Sequence, residues 1–424
     1  MRILFLSNLY PPDVQGGAEI LAADIAAELE ALGHEVLVLT AGQDLPDDKQ
    51  AGPIWRTLRS APPAHFDRSR PAWQQLSLLV NYYRRYNRPS NAAELQRIIT
   101  ISRPDVLYIW EITGIGVNSL LRKLPDLHIP IVFHLGSYWL LYARFPETEQ
   151  SRLRTRWLKQ QLIGSVAMPE YTSLIAVSET VRQAYMQGGF DPERIEVIYN
   201  GIDPRFLTLP PERAAEGEIL SLLYVGRLRV EKGLLVLLKA LDLLAQRRSQ
   251  RGAAALPVRL NVFGSGDQVY MNELQEFLRE KRLSELVTFH GTVPQEELIK
   301  YYDRTDIMVV PSLWQEPFGL VLAEAMARSL PVLASKVGGP AEILVDGVNG
   351  LLVAPGDEQA LADALGQLLE DPARRRQLGL AARKTVEERF TIQENARKVE
   401  LHLQRVIAQS KHDSASLNNS GTPA

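Results

Sequence analysis

The chain has 424 residues, 46 % of them hydrophobic and 23 % charged, an ordinary globular composition that can supply two domains of about 200 residues, each with its own core. A formal net charge of -3 gives no general attraction for nucleic acid, which is set aside as a partner, and zero cysteines exclude disulfides, thiolate catalysis and thiolate metal sites. The opening apolar run is too short for a secretory signal, and no later stretch reaches about 18 uninterrupted apolar residues, so a cytoplasmic protein is expected, with peripheral attachment to the inner face of a membrane left open.

Ile3 to Ser7 is a compact apolar run of the kind found in a strand buried on both faces of a parallel sheet. Pro11, Pro12 and Gly16-Gly17 form a loop, and Ile20, Leu21, Ile25 and Leu29 then recur at helical intervals up to Gly33. Strand, glycine loop and helix make a plan that can cradle phosphate, and equally an ordinary βα turn; the missing G-x-G-x-x-G argues against a nicotinamide site. Glu35 to Thr40 supplies a second strand. Between Ala41 and Asn91 the pattern degrades; Trp73 to Tyr86 reads as a helix, its aromatic residues buried and its arginines reaching outward, with contact to an acceptor or a membrane surface as the other reading. Asp105 to Trp110 and Ile129 to Phe133 are further strands. His134 follows, where a ligand histidine of an open α/β sheet and a hydrogen-bonded structural histidine are equally compatible with the sequence. Ser151 to Gln161 is a basic helical segment with a solvated face, lacking the broad apolar side that an interfacial helix needs. Leu174 to Ser178 and Ile195 to Tyr199 complete the strands of the first half, before the turn Asn200-Gly201-Ile202-Asp203 and a Pro- and Glu-rich linker.

Leu220 to Val225 opens the second half as a strand, followed by Gly226-Arg227-Leu228 and Glu231-Lys232-Gly233. Arg227 and Lys232 are cations suited to a departing diphosphate, with a surface salt-bridge cluster as the alternative. Val258 to Phe263 leads into Gly264-Ser265-Gly266, and Val287 to Gly291 is the next strand, its His290 read as structural. Ile307 to Val310 runs into Pro311 to Met326, PSLWQEPFGLVLAEAM, the most informative stretch. Here a strand gives way to a loop and then a helix N-terminus. Glu316 stands just ahead of the helix, and the N–H groups of Phe318, Gly319 and Leu320 are assigned as its open donors. Glu324 sits in an almost wholly apolar helix, where an unpaired carboxylate is costly and demands a partner or a ligand. Pro331 to Ala334, Gly338-Gly339 and Gly350 to Val353 end the sheet; Ala360 to Leu369, Ala373 to Arg389 and Thr391 to Ala408 are closing helices. No Asp-x-Asp pair for a metal is present, and two fixed cations make such a metal unnecessary.

Glu316, Pro317, Phe318, Gly319 and Glu324, together with Gly226-Arg227-Leu228, Glu231-Lys232-Gly233 and Asn200-Gly201-Ile202-Asp203, resemble the signatures of the family 4 retaining glycosyltransferases, which include glycogen synthase and bacterial enzymes of glycan assembly. The resemblance implies the α/β GT-B architecture, two Rossmann-like doubly wound domains facing across a cleft: residues 1–203 for the acceptor, a linker over 204–217, residues 218–388 for the nucleotide sugar, a helix over 389–409 returning to the first domain, and a disordered tail over 410–424. It implies hexosyl transfer from a UDP-, GDP- or ADP-sugar to a hydroxyl of a carbohydrate or lipid-linked acceptor, without metal or other cofactor. By the same resemblance Glu324 binds the ribose, Glu316 lies at the donor sugar, the backbone of Phe318, Gly319 and Leu320 holds sugar hydroxyls, Arg227 and Lys232 hold the diphosphate with Gly17 and Gly264 near it, and His134 contacts the donor sugar or the reacting centre, which places it with Glu316, Arg227 and Lys232 among the catalytic candidates. Leu135 departs from the residue common after that histidine. A sugar-nucleotide 2-epimerase, a phosphorylase using pyridoxal phosphate and a non-catalytic nucleotide-sugar-binding scaffold are the rival readings; base, sugar, acceptor and oligomeric state are not legible.

Overall fold

The computed structural model describes residues 1–14, 16–42, 50–61, 80–81, 83–144, 173–208, 219–252 and 256–419. It divides into two compact units, Met1–Tyr199 with Asn395–Ala424, and Asn200–Glu394.

In the first unit the strands are β1 (Arg2–Leu6), β2 (Glu35–Ala41), β3 (Gln50–Ala51), β4 (Ile54–Leu58), β5 (Val106–Ile109), β6 (Ile131–Leu135), β7 (Ser173–Ala176) and β8 (Ile195–Val197). Their order across the sheet is β3-β4-β2-β1-β5-β6-β7-β8, parallel except for β3 against β4. Ile3, Leu4, Phe5 and Leu6 on β1 and Val106 to Ile109 on β5 are wholly buried, as strands covered on both faces must be. β4 was not anticipated: its residues Ile54 to Thr57 are only half-buried and Arg56 interrupts the apolar run. Of the helix expected over Trp73 to Tyr86, residues 80–81 and 83–86 are helical, and 73–79 and 82 lie outside the described residues, as do Ser151 to Gln161.

The second unit contains β9 (Leu220–Val225), β10 (Val258–Phe263), β11 (Val287–Gly291), β12 (Ile307–Val310), β13 (Val332–Ser335) and β14 (Leu351–Val353). Their order is β11-β10-β9-β12-β13-β14, with every pair parallel. Counted from β9 this is 3-2-1-4-5-6, the doubly wound order in which ligands bind beyond the carboxyl ends of the strands, where the order reverses. That switch point lies between β9 and β12. Its core joins Leu222 and Tyr224 to Leu237, Leu241, Leu260, Val309 and Leu365.

The boundaries differ from the expected ones at both ends of this unit. Pro204 to Thr208 are not linker: Phe206 is wholly buried, and the buried Arg328 donates to the Thr208 carbonyl at 2.7 Å while pairing with Asp303. Arg383 adds a hydrogen bond to the Leu207 carbonyl at 2.7 Å. Residues 209–217 lie outside the described ones. The Asn200 to Asp203 turn joins the same unit, with the Ile202 N–H donating to the Phe390 carbonyl at 2.8 Å.

The last helix, Ile392–Asn419, runs past the expected disordered start at residue 410. Its return to the first unit is held by polar contacts: Asn395 Nδ2 to the Tyr199 carbonyl at 2.6 Å, and Glu196 pairing with both His402 at 2.5 Å and Arg405 at 2.7 Å. No helix among the described residues is long and apolar enough to cross a membrane.

Candidate active site

The two strands that flank the switch point deliver the two most informative loops. β9 exits through Gly226 to Gly233, and β12 exits through Pro311 to Gly319. These loops are tied by backbone: Leu313 N–H donates to the Glu231 carbonyl at 2.9 Å, and Ser312 Oγ lies 3.3 Å from the same oxygen. Gly233, at φ +71°, is required there, because a Cβ would overlap the Pro311 carbonyl. The next loop outward closes the same way, since a Cβ on Gly264 would overlap the Gly226 carbonyl. Gly264 therefore shapes the β9 exit loop through its missing side chain.

Within this frame Lys232 Nζ lies 2.6 and 2.9 Å from the two Glu316 oxygens, and Ser312 Oγ donates to Glu316 Oε1 at 2.6 Å. Lys232 also stands 5.1 Å from the Trp314 ring centre. Glu316 is 7 % exposed, so its charge is held by these partners rather than by water. Arg227 is exposed at the rim of the same loop. The site thus presents one cation paired across the switch point and one open to an incoming anion.

On the far side of Glu316 runs the glycine pair Gly338-Gly339. Gly339 N–H donates to the Glu316 carbonyl at 2.8 Å and Gly338 N–H to Gln315 Oε1 at 2.8 Å. A Cβ on Gly338, at φ +54°, would overlap the Glu316 carbonyl. Left-handed backbone alone costs a residue with a side chain roughly 1–2 kcal/mol, and the clash adds to it. Gly338→Ala is therefore expected to lower the melting temperature by several degrees, about 2–4 °C per kcal/mol for a domain of this size, with a larger proportional loss of activity; calorimetry and turnover on one preparation check it.

Glu324 has a separate partner. Its Oε2 accepts from Tyr302 Oη at 2.9 Å, and burial first, then the charge of Asp203, push its carboxyl up to about 7 against the opposing Tyr302 bond. The helix that carries it is Leu320–Ala327, capped by Gly319 at φ +96°. Leu322 and Ala323 N–H groups bond back to the Gly319 carbonyl. The open donors of the helix are then those of Leu320, which is in the expected set, and Val321, one residue beyond it; Phe318 lies outside the helix with its ring buried against Phe390.

In the first unit Gly17 begins the helix Gly17–Ala31 and is exposed, with Gly16 N–H donating to Glu19 Oε2 at 3.0 Å. His134 lies inside β6 rather than past its end. Its Nδ1 is 2.7 Å from Tyr108 Oη, and its ring stacks on Trp110 at 3.8 Å between centroids. At 1 % exposure it has the surroundings of a structural histidine. Among the described residues no three His, Asp or Glu side chains converge as a metal site.

Two family models account for both units: "Glycosyltransferase Family 4" matches residues 15–206 and "Glycosyl transferases group 1" matches residues 210–385. The chain belongs to the family 4, GT-B glycosyltransferases. This glycosyltransferase is 29 % identical to a glycogen synthase of Mycobacterium tuberculosis over 407 residues, 92 % of its own length and 91 % of the relative's. It is 32 % identical to a D-inositol 3-phosphate glycosyltransferase of Corynebacterium diphtheriae over 292 residues, 66 % of each chain. The solved structure of HepE from Anabaena in complex with UDP shares its fold, with a TM-score of 0.67 at 22 % identity over 96 % of this chain and 100 % of that one.

Ser312 and Tyr302 were not found from the sequence of this glycosyltransferase. Each acts on a carboxylate that was found, Ser312 from four residues upstream within the loop and Tyr302 from a neighbouring helix, and no spacing rule links either to its partner.

Proposed function

We propose that this glycosyltransferase moves a hexosyl group, with retention of anomeric configuration, from a nucleoside diphosphate sugar to a carbohydrate or lipid-linked acceptor hydroxyl, and that UDP-glucose is the first donor to try. The observation that carries the reading is the Lys232–Glu316 pair across the β9/β12 switch point with Arg227 beside it. HepE, whose structures hold UDP and UDP-glucose, supports the choice of donor.

Breaking the bond between the anomeric carbon and the diphosphate oxygen leaves negative charge on the phosphate, and Arg227 and Lys232 stabilise that charge as it develops. Glu316 orients the donor sugar through its hydroxyls while remaining paired to Lys232. Glu324 accepts from the ribose hydroxyls, and the Leu320 and Val321 N–H groups donate to the ligand. The acceptor hydroxyl forms its new bond on the face that the diphosphate leaves, and its proton passes to the departing phosphate oxygen. No metal is assigned to the diphosphate, because two side-chain cations serve it.

The test is turnover of UDP-glucose, GDP-mannose and ADP-glucose with a panel of sugar acceptors, in EDTA, with the product anomer read by NMR. Transfer in EDTA giving the donor's anomeric configuration is expected. An inverted product, or a strict need for added divalent metal, contradicts the proposal.

A further inference from the structure

We infer that the first unit carries a binding site for a phosphate or diphosphate group on the acceptor, formed by Arg59, Arg84 and Arg88 at the carboxyl edge of its sheet. The inference rests on the transferase reading above for the identity of the ligand as acceptor, and on the first unit alone for the site.

Three segments are drawn together at that edge. Arg59 follows β4 directly, and its backbone is clamped by the buried Asn91: Asn91 Oδ1 accepts from Arg59 N–H at 3.1 Å, and Asn91 Nδ2 donates to the Arg59 carbonyl at 2.9 Å. The same Nδ2 reaches the Ile115 carbonyl in the loop after β5 at 2.8 Å. Arg88 N–H donates to Ser119 Oγ at 2.8 Å, Arg88 Nη2 donates to the Ser60 carbonyl at 2.9 Å, and Gly116 N–H donates to the Arg85 carbonyl at 3.0 Å. Gly116, at φ +90°, makes this approach possible, since a Cβ there would press on Arg88 at 2.7 Å. The carboxyl ends of β1, β2, β4, β5 and β6 all point to this edge, where open α/β sheets take their ligands.

Carboxylates at this edge have partners of their own: Thr113 Oγ1 donates to Glu111 Oε1 at 2.6 Å, and Arg56 pairs with Asp13. Among the described residues no carboxylate pairs with Arg59, Arg84 or Arg88, although arginines elsewhere on this unit take acidic partners, as Arg97 does with Glu94. Arg88 Nε is buried and has no acceptor among the described residues. A buried cationic donor left unsatisfied is costly, and such groups mark places completed by an ion or a ligand. Burial, then the charges of Arg84 and Arg59, hold the Arg88 guanidinium below its usual value. Oxygens of a phosphoryl group accept in the geometry that guanidinium groups present, whereas neutral hydroxyls would leave the mutual repulsion in place.

The test uses the full chain and compares the wild type with the double variant Arg59→Gln/Arg84→Gln, which leaves the Arg88 and Asn91 clamps intact. Glucose 6-phosphate and glucose are titrated while hydrogen exchange is followed over residues 83–91 and 114–119. A parallel arm uses phosphatidylcholine vesicles with and without a polyprenyl phosphate. The expected result is protection by glucose 6-phosphate, or retention on the polyprenyl phosphate vesicles, weakened at least 10-fold in the double variant, and no comparable response to glucose or to plain vesicles. Whichever probe responds identifies a soluble or a lipid source of the phosphate. Equal responses of wild type and variant, equal protection by glucose, or no response to either phosphorylated probe would overturn the site. UDP binding is measured on the same samples: a lost UDP response with retained sugar-phosphate protection refutes the transferase reading and leaves the anion site standing.

Discussion

Alanine at Lys232 is expected to lower kcat by roughly 10²–10³-fold, the usual cost of removing one group that stabilises developing charge. A second cost comes with it. Lys232 holds both oxygens of Glu316, which is 7 % exposed, so its removal leaves a buried carboxylate with Ser312 as its hydrogen-bond donor. Breaking one side of a buried ion pair costs about 3–5 kcal/mol; Lys232 keeps 18 % of its side chain exposed, which places the expected loss at or below the bottom of that range. The double variant Lys232→Ala/Glu316→Gln separates the two costs, because it removes the orphaned charge but not the need for a cation on the leaving group. Its melting temperature is expected to recover while kcat stays low. Recovery of both would make Lys232 a purely structural partner of Glu316.

The second large effect concerns the division of labour between the two carboxylates. Glu324→Ala is expected to weaken nucleotide affinity more than Glu316→Ala, which lowers transfer instead; equal affinity losses would contradict these roles. Glu324 also makes binding depend on pH. Burial raises its carboxyl from 4.5 to about 7, so near neutrality it is partly protonated in the free protein. Ribose hydroxyls donate to the ionised form, so nucleotide binding is linked to proton release. Affinity is therefore expected to be flat above about pH 8 and to fall as pH drops through 7, by up to tenfold per unit. The sign for stability is opposite: a carboxyl raised on folding favours the native state below its unfolded value, and that contribution is lost as pH rises from 4.5 to about 7. Calorimetric titration in buffers of different ionisation enthalpy measures the released proton, and Glu324→Gln should abolish the release.

Leu220–Val225 and Ile307–Val310, inner strands of the second sheet, are strands at their expected limits because strands covered on both faces give compact apolar runs. Val258–Phe263 and the edge strand Val287–Gly291, where Arg259 and Thr288 are exposed, also match their expected limits, each marked by a glycine, Gly264 and Gly291. β4 has no such cover, and its half-buried Ile54 to Thr57 carry no comparable signal. The apolar spacing of the last helix marks its end at Ala408, whereas the helix continues to Asn419; helix propagation beyond Ala408 adds a hydrogen bond per residue without needing a buried face. The charged members of the site were legible because a glutamate in an apolar helix and cations after a buried strand conflict with local burial. Ser312, Gln315 and Tyr302 cause no such conflict, and only the folded chain brings them to Glu316, Gly338 and Glu324.

The central claim is that the second unit binds a nucleoside diphosphate through the β9 and β12 exit loops. The most direct measurement is the thermal stability of the wild type and of Arg227→Ala with and without UDP, GDP and ADP. One nucleotide, UDP first, is expected to stabilise the wild type by about 2.7 kcal/mol at 100 times its dissociation constant, and the variant should lose most of that gain. A wild type that responds to none of the three, or an Arg227→Ala variant that responds as strongly as the wild type, would contradict it.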